Sequence, residues 1–414
     1  MTHLGNAAIA PGALVPTARG LREARQLEPG ETIFTYDLQA RAIAPVPLRG
    51  LTPLGTRRLV EVRVRGRTIR LTPGSALLGL VDRRRPGRLR RRFSLEWLSA
   101  AALRPNDILA SVRATPDLGV PQPLPRVATA ARGRAPGMRL PERADEDLLW
   151  WSGLYIGDGY LHHHGGRSRV EFAIPASQPD LRAELAATTA RLFGVASRAV
   201  DEWRVVVPGV ALATFVVTAG LGGRAAEKRI PRWVFASPEP HRLAFLGGYV
   251  DADGDIRATT SNKDMGITSV NRSLLDDARR LALQSGIRTS RIWEFRSRHP
   301  MDPARSMTGY RLRFSGDFDR VRCRSERRLV RMRQRRFFHS GTAPQRTTVR
   351  AHTSRWIGFE AVAAVTRSAG PAVLVDASSG IIVAEGLVVR LVGDAAPALQ
   401  TRPDRPPLDF LPGK

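Results

Sequence analysis

Apolar and polar residues alternate differently in three parts of the chain. Short runs with alternating apolar residues, such as 59–66, predict strands over about residues 1–113, and further strands follow from 372 to 389. Between these parts, the stretches 180–193 and 274–284 have apolar residues at helical spacing. The pattern therefore predicts an α+β chain in which an α/β segment interrupts an all-β domain.

The α/β segment contains the same order of elements twice. Each copy starts with a helix that ends in Asp-Gly, at Asp158 in the first and Asp253 in the second. A strand follows, at 170–174 or 265–269, and then an amphipathic helix that ends in a glycine and an apolar residue. An isolated Asp-Gly is a common turn. Repetition of the whole order instead predicts two similar half-domains related by a pseudo-two-fold axis.

Small residues share one face of each Asp-Gly helix. Gly153 and Gly157 stand four apart in the first helix, as do Gly248 and Ala252 in the second. Residues four apart lie on the same side of a helix, and small side chains there allow two helices to approach closely. The sequence therefore predicts that these two helices pack against each other.

The two helix ends predict a cation site. Gly159 and Gly254 suit the left-handed conformation that ends many helices. Asp158 and Asp253 would then lie at helix C-termini, where the macrodipole disfavours negative charge. Two carboxylates that meet there need a cation, and oxygen ligands favour Mg²⁺ or a similar hard ion.

These segments resemble the paired motifs of LAGLIDADG homing endonucleases. The second, LGGYVDADG at 246–254, is close to the family motif, and the first, WSGLYIGDG at 151–159, matches it more loosely. The resemblance implies two αββαββα halves whose motif helices form the interface. It also implies that Asp158 and Asp253 are catalytic and bind the metal, Mg²⁺ or Mn²⁺.

Two basic residues complete the implied catalytic set. Lysine occurs only at 228, 263 and 414 in this arginine-rich chain, and Lys228 lies in Glu-Lys-Arg-Ile-Pro, which resembles the family's K-x-I-P element. The resemblance implies that Lys228 reaches the active site, where an ammonium can polarise water or lose its proton; a chance surface lysine is the alternative. Arg328 stands where the second half of the family usually has lysine, which puts that half-site in doubt. Residues 237–239, Ser-Pro-Glu, predict the cap and first turn of the second motif helix.

The charge favours a polyanionic partner. The formal net charge is +27 and the isoelectric point is about 11.6, which favours binding to nucleic acid. Dense arginine runs lie at 83–92 and 320–336, and phosphate contact explains them better than solvated surface does. The predicted DNA-binding residues of the first run are Arg83, Arg84, Arg85, Arg88, Arg90, Arg91 and Arg92.

The β-rich parts resemble the blocks of an intein (Hint) module. The resembling segments are 27–37, 71–75, 97–107 and 375–389, in the family's order on both sides of the α/β segment. The resemblance implies an endonuclease domain inserted into a split, all-β splicing domain.

The residues that carry out splicing are missing. No Cys or Ser precedes Ser75, and Ser75 itself stands where the family has the histidine that activates the scissile amide. Arg390 and Leu391 occupy the positions of the terminal His-Asn pair. A chain without nucleophile or base cannot perform this chemistry, so the Hint module is predicted to be a splicing-incompetent scaffold.

The predicted domains follow from these boundaries. We expect a Hint-like part at 1–140, an endonuclease domain at 141–340 with halves at 141–235 and 236–340, a second Hint-like part at 341–394 and a Pro-rich, disordered tail at 395–414.

The predicted function is site-specific cleavage of double-stranded DNA by a monomer. A non-cleaving LAGLIDADG DNA-binding regulator and an RNA maturase are the alternatives. Cys323 is the single cysteine, no long apolar run predicts a membrane span, and we expect a cytoplasmic, nucleoid-associated protein.

Overall fold

A computed structural model shows two compact units. It describes residues 7–64, 67–83, 93–127, 138–164, 167–256, 265–299, 302–314, 318–333 and 356–391. One unit comprises 1–116 together with 340–414, and the other comprises 117–339. The predicted interruption of one domain by another is therefore present. None of the described helices is long and apolar enough to cross a membrane.

The first unit is built from β-strands, which are numbered here along the whole chain. They are β1 (Leu14–Thr17), β2 (Gly20–Glu23), β3 (Thr32–Asp37), β4 (Ala42–Val64), β5 (Arg67–Leu71), β6 (Ala76–Asp82), β7 (Phe93–Ser99), β8 (Ile108–Val112), β17 (Ile357–Ala377), β18 (Ile381–Ala384) and β19 (Leu387–Arg390). They form one sheet in the order β18-β19-β6-β8-β17-β4-β3-β1-β2, with β5 beside β4 and β7 beside β6.

The strands β8 and β17 are antiparallel neighbours, although the whole α/β segment separates them in sequence. Ile357, at the start of β17, pairs with Val112, at the end of β8. From there β17 runs along β4, with Val362 opposite Val64 and Ala377 opposite Leu48. The chain therefore leaves the sheet and returns to it at one pair of residues, so an insertion there does not interrupt any strand.

The second unit contains two halves with the same elements. The first half consists of α1 (Glu146–Asp158), β9 (Gly159–His164), β10 (Arg167–Phe172), α2 (Pro179–Phe193), β11 (Arg198–Ala199), β12 (Val205–Val207) and α3 (Val210–Thr218). A short helix, α4 (Arg232–Ala236), follows. The second half consists of α5 (Glu239–Asp253), β13 (Gly254–Ile256), β14 (Met265–Ser269), α6 (Arg272–Gln284), β15 (Trp293–His299), β16 (Asp302–Phe314) and α7 (Glu326–Arg333).

The two halves also share one sheet topology. The strand order is β11-β12-β10-β9 in the first half and β15-β16-β14-β13 in the second, and all neighbours are antiparallel. The predicted αββαββα repeat is thus confirmed. A single hydrophobic core joins the halves, and its largest fully buried side chains include Trp150, Trp151, Phe172, Phe245 and Phe314.

The second unit starts at residue 117 rather than at the predicted 141. Pro123 forms a bridge with Arg143, and Leu124 and Met138 are buried in the core of this unit. Asp117 accepts a hydrogen bond of 2.7 Å from the backbone N–H of Glu239, the first residue of α5. The residue before Glu239, Pro238, supplies no side-chain cap. The cap predicted from residues 237–239 therefore comes from Asp117 instead.

The glycines after α1 and α5 are not left-handed. Gly159 has φ −85° and Gly254 has φ −86°, both in the extended region, so this prediction from the sequence is wrong. Each glycine passes directly from helix to strand with no loop between them. A Cβ on Gly159 would lie 2.7 Å from the Tyr155 Cα, and one on Gly254 would lie 2.4 Å from the Val250 oxygen. Glycine is needed because the strand turns tightly against the last helical turn.

We predict that Gly153→Ala in α1 and Gly248→Ala in α5 each destabilise the second unit by about 1–3 kcal/mol or more. Each added Cβ would lie 2.0 Å from a carbonyl oxygen of the other helix and would force the backbones of α1 and α5 apart. The clashing atoms are backbone carbonyls, which cannot move aside as a side-chain tip can. Gly222→Ala is the matched control, since its Cβ would meet its nearest neighbour at 3.4 Å, an ordinary contact. Urea unfolding of all three variants measures the difference; equal stability of Gly153→Ala and Gly222→Ala would contradict the prediction.

Candidate active site

The helices α1 and α5 touch through their backbones. A Cβ on Gly153 would lie 2.0 Å from the Phe245 carbonyl oxygen, and one on Gly248 would lie 2.0 Å from the Trp150 carbonyl oxygen. Only glycine allows an approach this close. The predicted packing of the two motif helices is therefore present, and it brings their C-terminal ends side by side.

Asp158 and Asp253 meet at this common end. The Asp253 Oδ2 atom lies 3.3 Å from the position that a Cβ on Gly157 would take, one residue before Asp158. Asp158 is partly buried and Asp253 is exposed. The surrounding protein nevertheless displaces water from both carboxylates. This desolvation raises the pKa of both, and Asp253 raises the pKa of Asp158 further. A cation beside the pair would relieve this unfavourable arrangement.

Lys228 lies beside the carboxylate pair, but its protons are directed at the backbone of α1. The side chain is buried, and Nζ donates to the carbonyl oxygens of Tyr155 at 2.9 Å, Ile156 at 3.0 Å and Gly159 at 2.5 Å. Burial lowers the pKa of Lys228 to about 8, against the opposing effect of Asp253 and Asp158. The sequence led us to expect a lysine near the carboxylates, but not its bonding to the helix end.

Arg328 completes the cluster from the other half. It is buried, and its positive charge lowers the pKa values of Asp158 and Asp253. Desolvation lowers the pKa of Arg328 itself. The segment before it is held by Asp251, whose carboxylate accepts from the backbone N–H groups of Arg324 at 2.7 Å and Ser325 at 3.3 Å. Lys228 and Arg328 are thus both close enough to lower the pKa values of Asp158 and Asp253.

The donor set suits a hard cation, although it is small. Within the described parts of the chain, no cluster of three or more His, Cys, Asp or Glu side chains could hold a metal. The pair offers carboxylate oxygens only, which match the preference of Mg²⁺ or Mn²⁺. Mg²⁺ usually keeps several waters and binds through one or two carboxylates together with phosphate oxygens. Two aspartates at an open end therefore fit a metal that phosphate and water help to ligate.

The sheet faces that turn away from the core are rich in arginine. In the second half, Leu312 is buried, whereas Arg311 on the opposite face donates to Asp255 at 2.7 Å. Arg313 lies over the ring of the exposed Trp293, 5.0 Å from the ring centroid. These residues were not identified from the sequence. The alternation of arginine with buried apolar residues at 311–314 was the signal for them.

The first half has a similar charged face built around a buried carboxylate. Glu171 accepts 2.6 Å hydrogen bonds from the Tyr160 hydroxyl and from Arg169 Nε. Arg204 lies 3.7 Å from the same carboxylate. The acid holds these side chains in place, so this face too presents ordered basic groups.

Of the seven arginines predicted to bind DNA at 83–92, the structure describes one. Arg83 pairs with Glu96, with Nε at 2.7 Å and Nη2 at 2.5 Å from the carboxylate. The other six, Arg84, Arg85, Arg88, Arg90, Arg91 and Arg92, lie outside the described residues.

The first unit, called the β unit below, contains a second notable group of contacts, around the backbone of Ala8. Its backbone N–H donates to the Thr72 hydroxyl at 2.8 Å and the Ser75 hydroxyl at 3.1 Å, and Ser75 also donates to the Ala8 carbonyl. Ala8, Thr72 and Ser75 are all buried. The block at 71–75 therefore holds one particular amide, the one between Ala7 and Ala8. The sequence shows no nucleophile there, which is why this position was not identified from it.

Comparison with known proteins agrees with this geometry. Residues 240–329 match the family model described as a LAGLIDADG-like domain. The match runs from α5 into α7 and includes Asp253 and Arg328. The first half, with Asp158 and Lys228, has the same element order but lies outside the matched range.

Two curated relatives match parts of their own sequences. An iron-sulfur cluster assembly SufBD family protein of Mycobacterium leprae (strain TN) is 28% identical over 74% of this chain and 35% of its own length. The replication factor C small subunit of Thermococcus kodakarensis is 27% identical over 59% of this chain and 26% of its own length. The chain thus spans about a third and about a quarter of these relatives.

Two solved structures are similar to parts of the chain. The crystal structure of I-DmoI in complex with DNA and Ca is 20% identical, covers 42% of this chain and 85% of that one, and has a TM-score of 0.29. A DnaB intein from Synechocystis sp. PCC 6803 is 19% identical, covers 26% of this chain and 70% of that one, and has a TM-score of 0.22. Residues 240–329 thus match a LAGLIDADG-like domain, and they belong to the second half of a unit with repeated αββαββα topology that is inserted, in sequence, into a split β-rich unit.

Proposed function

We propose that this protein is a site-specific double-strand DNA endonuclease that uses Mg²⁺ or Mn²⁺ and is carried on a splicing-incompetent, intein-like scaffold. The observation that carries the proposal is the meeting of Asp158 and Asp253 at the ends of two helices in backbone contact. Their raised pKa values mean that the charged pair is unfavourable without a cation. Two carboxylates placed side by side do not stabilise a turn. In metal-assisted hydrolysis, by contrast, carboxylates in this position would hold the metal ion.

Each residue has a proposed part in the chemistry. A divalent ion bound here would activate water and stabilise the leaving oxygen of a phosphodiester. Asp158 and Asp253 would hold that ion. Lys228 and Arg328 supply positive charge behind the carboxylates, which favours their ionised form.

The charged sheet faces would bind the DNA on either side of the site. Arg169 and Arg204 in the first half, and Arg311 and Arg313 in the second, are positioned by neighbouring side chains rather than free to move. Arginine pairs with guanine through two hydrogen bonds and with phosphate through its charge. The two halves of one chain supply both faces, so the proposed active form is a monomer.

The curated relatives support an inserted element. Their names describe unrelated activities, iron-sulfur cluster assembly and replication, and each resembles this chain over a minor part of its length. We infer that the part they share with this chain is separate from the activities in their names. This fits an element that resides in different hosts.

A non-cleaving DNA-binding regulator and an RNA maturase are the alternatives. Neither needs the acidic pair, which costs stability when it is not neutralised. A Mg²⁺-dependent assay on a randomised duplex library separates the three, because only the endonuclease yields cut ends. The proposed cytoplasmic, nucleoid-associated location follows from a DNA substrate.

The scaffold retains a trace of the splicing site in the Ala7–Ala8 bond. In an intein, the histidine of this block activates the scissile amide, and here the block's Thr72 and Ser75 hold the Ala8 amide. Alanine has no nucleophile and serine is a poor acid, so no acyl shift can start. We propose that the β unit is kept as a folded carrier of the second unit.

We predict that Asp158→Asn and Asp253→Asn each abolish double-strand cutting and leave DNA binding within about threefold of the wild type, because the carboxylates hold metal rather than bases. Loss of a residue that merely supports a metal ligand costs about 10–100-fold, so loss of the ligand itself should cost at least about 100-fold in rate. Plasmid cleavage in Mg²⁺ and gel-shift titration in Ca²⁺ measure the two effects. Asp276→Asn on α6 is the control and should cut normally. Full cleavage by both active-site variants would refute the assignment.

The raised pKa of Asp158 predicts a pH-dependent stability effect. Because the folded state raises this pKa to about 8, it binds the proton more tightly than the unfolded chain does. The stability that the protonated Asp158 carboxyl contributes to the folded state is fully present below its unfolded pKa of about 4. This contribution is lost as the pH rises through the pKa of the folded state.

Asp158→Asn should therefore melt at a higher temperature than the wild type at about pH 8 in chelator, and the difference should vanish near about pH 4. Added Mg²⁺ should raise the melting temperature of the wild type but not that of the variant. Calorimetry across pH, with and without Mg²⁺, checks both statements. A variant that is less stable than the wild type at about pH 8 in chelator would show that the carboxylate has a structural partner instead.

We predict that Ala8→Cys restores thiol-dependent cleavage before residue 8, and that adding Ser75→His accelerates it. The introduced sulfur would attack the Ala7 carbonyl carbon, the C–N bond would break and the backbone nitrogen of residue 8 would take the proton. The sulfur of an added thiol then attacks the thioester carbonyl carbon, the bond from that carbon to the sulfur of residue 8 breaks, and residue 8 leaves as a free thiol while the preceding segment leaves as a thioester of the added thiol. Mass spectrometry detects the loss of residues 1–7. Ala10→Cys is the control, since its amide donates to the Arg70 carbonyl and not to the block. Equal cleavage of both substituted chains, or of neither, would contradict the assignment of this bond.

A further inference from the structure

We propose that Lys228 is a positioning residue that caps the C-terminal end of α1 and thereby holds Asp158 in place, rather than acting on water or phosphate itself. The inference rests on the proposed metal site at Asp158. It is carried by the three hydrogen bonds that the ammonium group makes to the backbone around that residue.

The ammonium group has no proton left for a substrate. A lysine has three N–H donors, and Nζ of Lys228 is bound to three carbonyl oxygens, those of Tyr155, Ile156 and Gly159. The side chain is 3% exposed, so water does not reach it freely. Nζ also lies 4.9 Å from the centroid of the Tyr155 ring, which shields it on another side. Action on water would require these bonds to break first.

The bonds satisfy a specific need of this helix end. The last carbonyls of a helix have no intrahelical partner, and a left-handed glycine normally arranges other donors for them. Gly159 is extended, and only the Tyr155 oxygen receives its N–H. Lys228 donates to the carbonyl oxygens of Tyr155 and Ile156, and to that of Gly159 as well. It therefore binds the backbone on both sides of Asp158, and its positive charge also offsets the negative end of the helix dipole.

Lysine fits this task and arginine does not. Three acceptors that converge on one point match the compact ammonium, whereas a guanidinium presents its donors in a flat fork. This explains why a lysine stands here in a chain with 65 basic residues that are nearly all arginine. A polar contact with phosphate alone would have accepted arginine.

The second half holds its helix end differently, as the position two residues before each catalytic aspartate shows. In α1 this residue is Ile156, which is held through its carbonyl by Lys228. In α5 it is Asp251, whose side chain accepts from the backbone of Arg324 and Ser325 and from Trp150 Nε1 at 2.9 Å. Arg328 can therefore replace lysine in the second half without leaving the end of α5 unsupported.

The test uses the full chain and three variants, without DNA. Lys228→Met removes the charge and all three donors, Lys228→Gln removes the charge but keeps two donors, and Arg229→Met is the control. Arg229 adjoins Lys228 and pairs with Asp277 at 2.6 Å, so its loss removes an ion pair without touching α1. Hydrogen exchange is followed at the Gly159 amide and at Ala173, whose N–H donates to the Asp158 carbonyl. Metal binding is followed with Ca²⁺ and by terbium luminescence excited through the nearby aromatic residues.

For a positioning role, Lys228→Met should exchange these two amides at least about tenfold faster than the wild type and weaken Ca²⁺ binding about tenfold, the effect of losing hydrogen bonds to a charged group. Lys228→Gln should have exchange rates and Ca²⁺ affinity between those of the wild type and Lys228→Met, and its terbium signal should be stronger than that of Lys228→Met. Core amides should be unchanged in every variant, and Arg229→Met should match the wild type at the helix end.

Unchanged amide exchange and unchanged Ca²⁺ affinity in both Lys228 variants would overturn the proposal. It would also be overturned if Ca²⁺ affinity fell equally in Lys228→Met and Lys228→Gln while the two amides exchanged as in the wild type. If the wild type binds no Ca²⁺ or terbium, the proposed metal site fails, while the exchange data still decide whether Lys228 caps the helix.

Discussion

The backbone contact between α1 and α5 is the constraint on which the second unit depends. Because Gly153 and Gly248 allow the helices to touch main chain to main chain, the two half-domains share one core and their Asp-Gly ends coincide. A wider separation would leave each carboxylate in water with an ordinary pKa. The same contact thus determines the fold, places the acids and creates the electrostatic stress that a metal would relieve.

Much of this arrangement could be predicted from the sequence because its signals are local or repeated. The motif glycines, the two Asp-Gly ends and the second copy of strand and helix stand in order along the chain, and the structure confirms the αββαββα halves and the split β unit. Local signals fail where distant residues decide. Gly159 suggested a left-handed cap, but direct continuation into β9 and the ammonium of Lys228 settle its conformation instead.

Features that depend on distant partners were out of reach for the same reason. Nothing around residue 239 shows that α5 is capped by Asp117, and nothing around Ala8 shows that its amide faces Thr72 and Ser75. The Asp-Gly ends and their helices repeat in sequence, so they could be found. Caps and buried amide contacts need only a single acceptor of the right shape, which many residue types can provide from anywhere in the chain.

The cap at Asp117 also defines what can be transplanted. Asp117 accepts from the first N–H of α5 and lies 3.2 Å from the buried Arg242 on the same helix, so the strap at 117–127 belongs to the helix that ends in Asp253. A fragment cut at residue 141, the boundary predicted from the sequence, would leave that helix without its terminal acceptor and Arg242 without this carboxylate. The smallest fragment that keeps this support therefore begins at residue 117. A fragment without residues 117–127 would contain Asp158 and Asp253 but would lack the contacts that hold the start of α5.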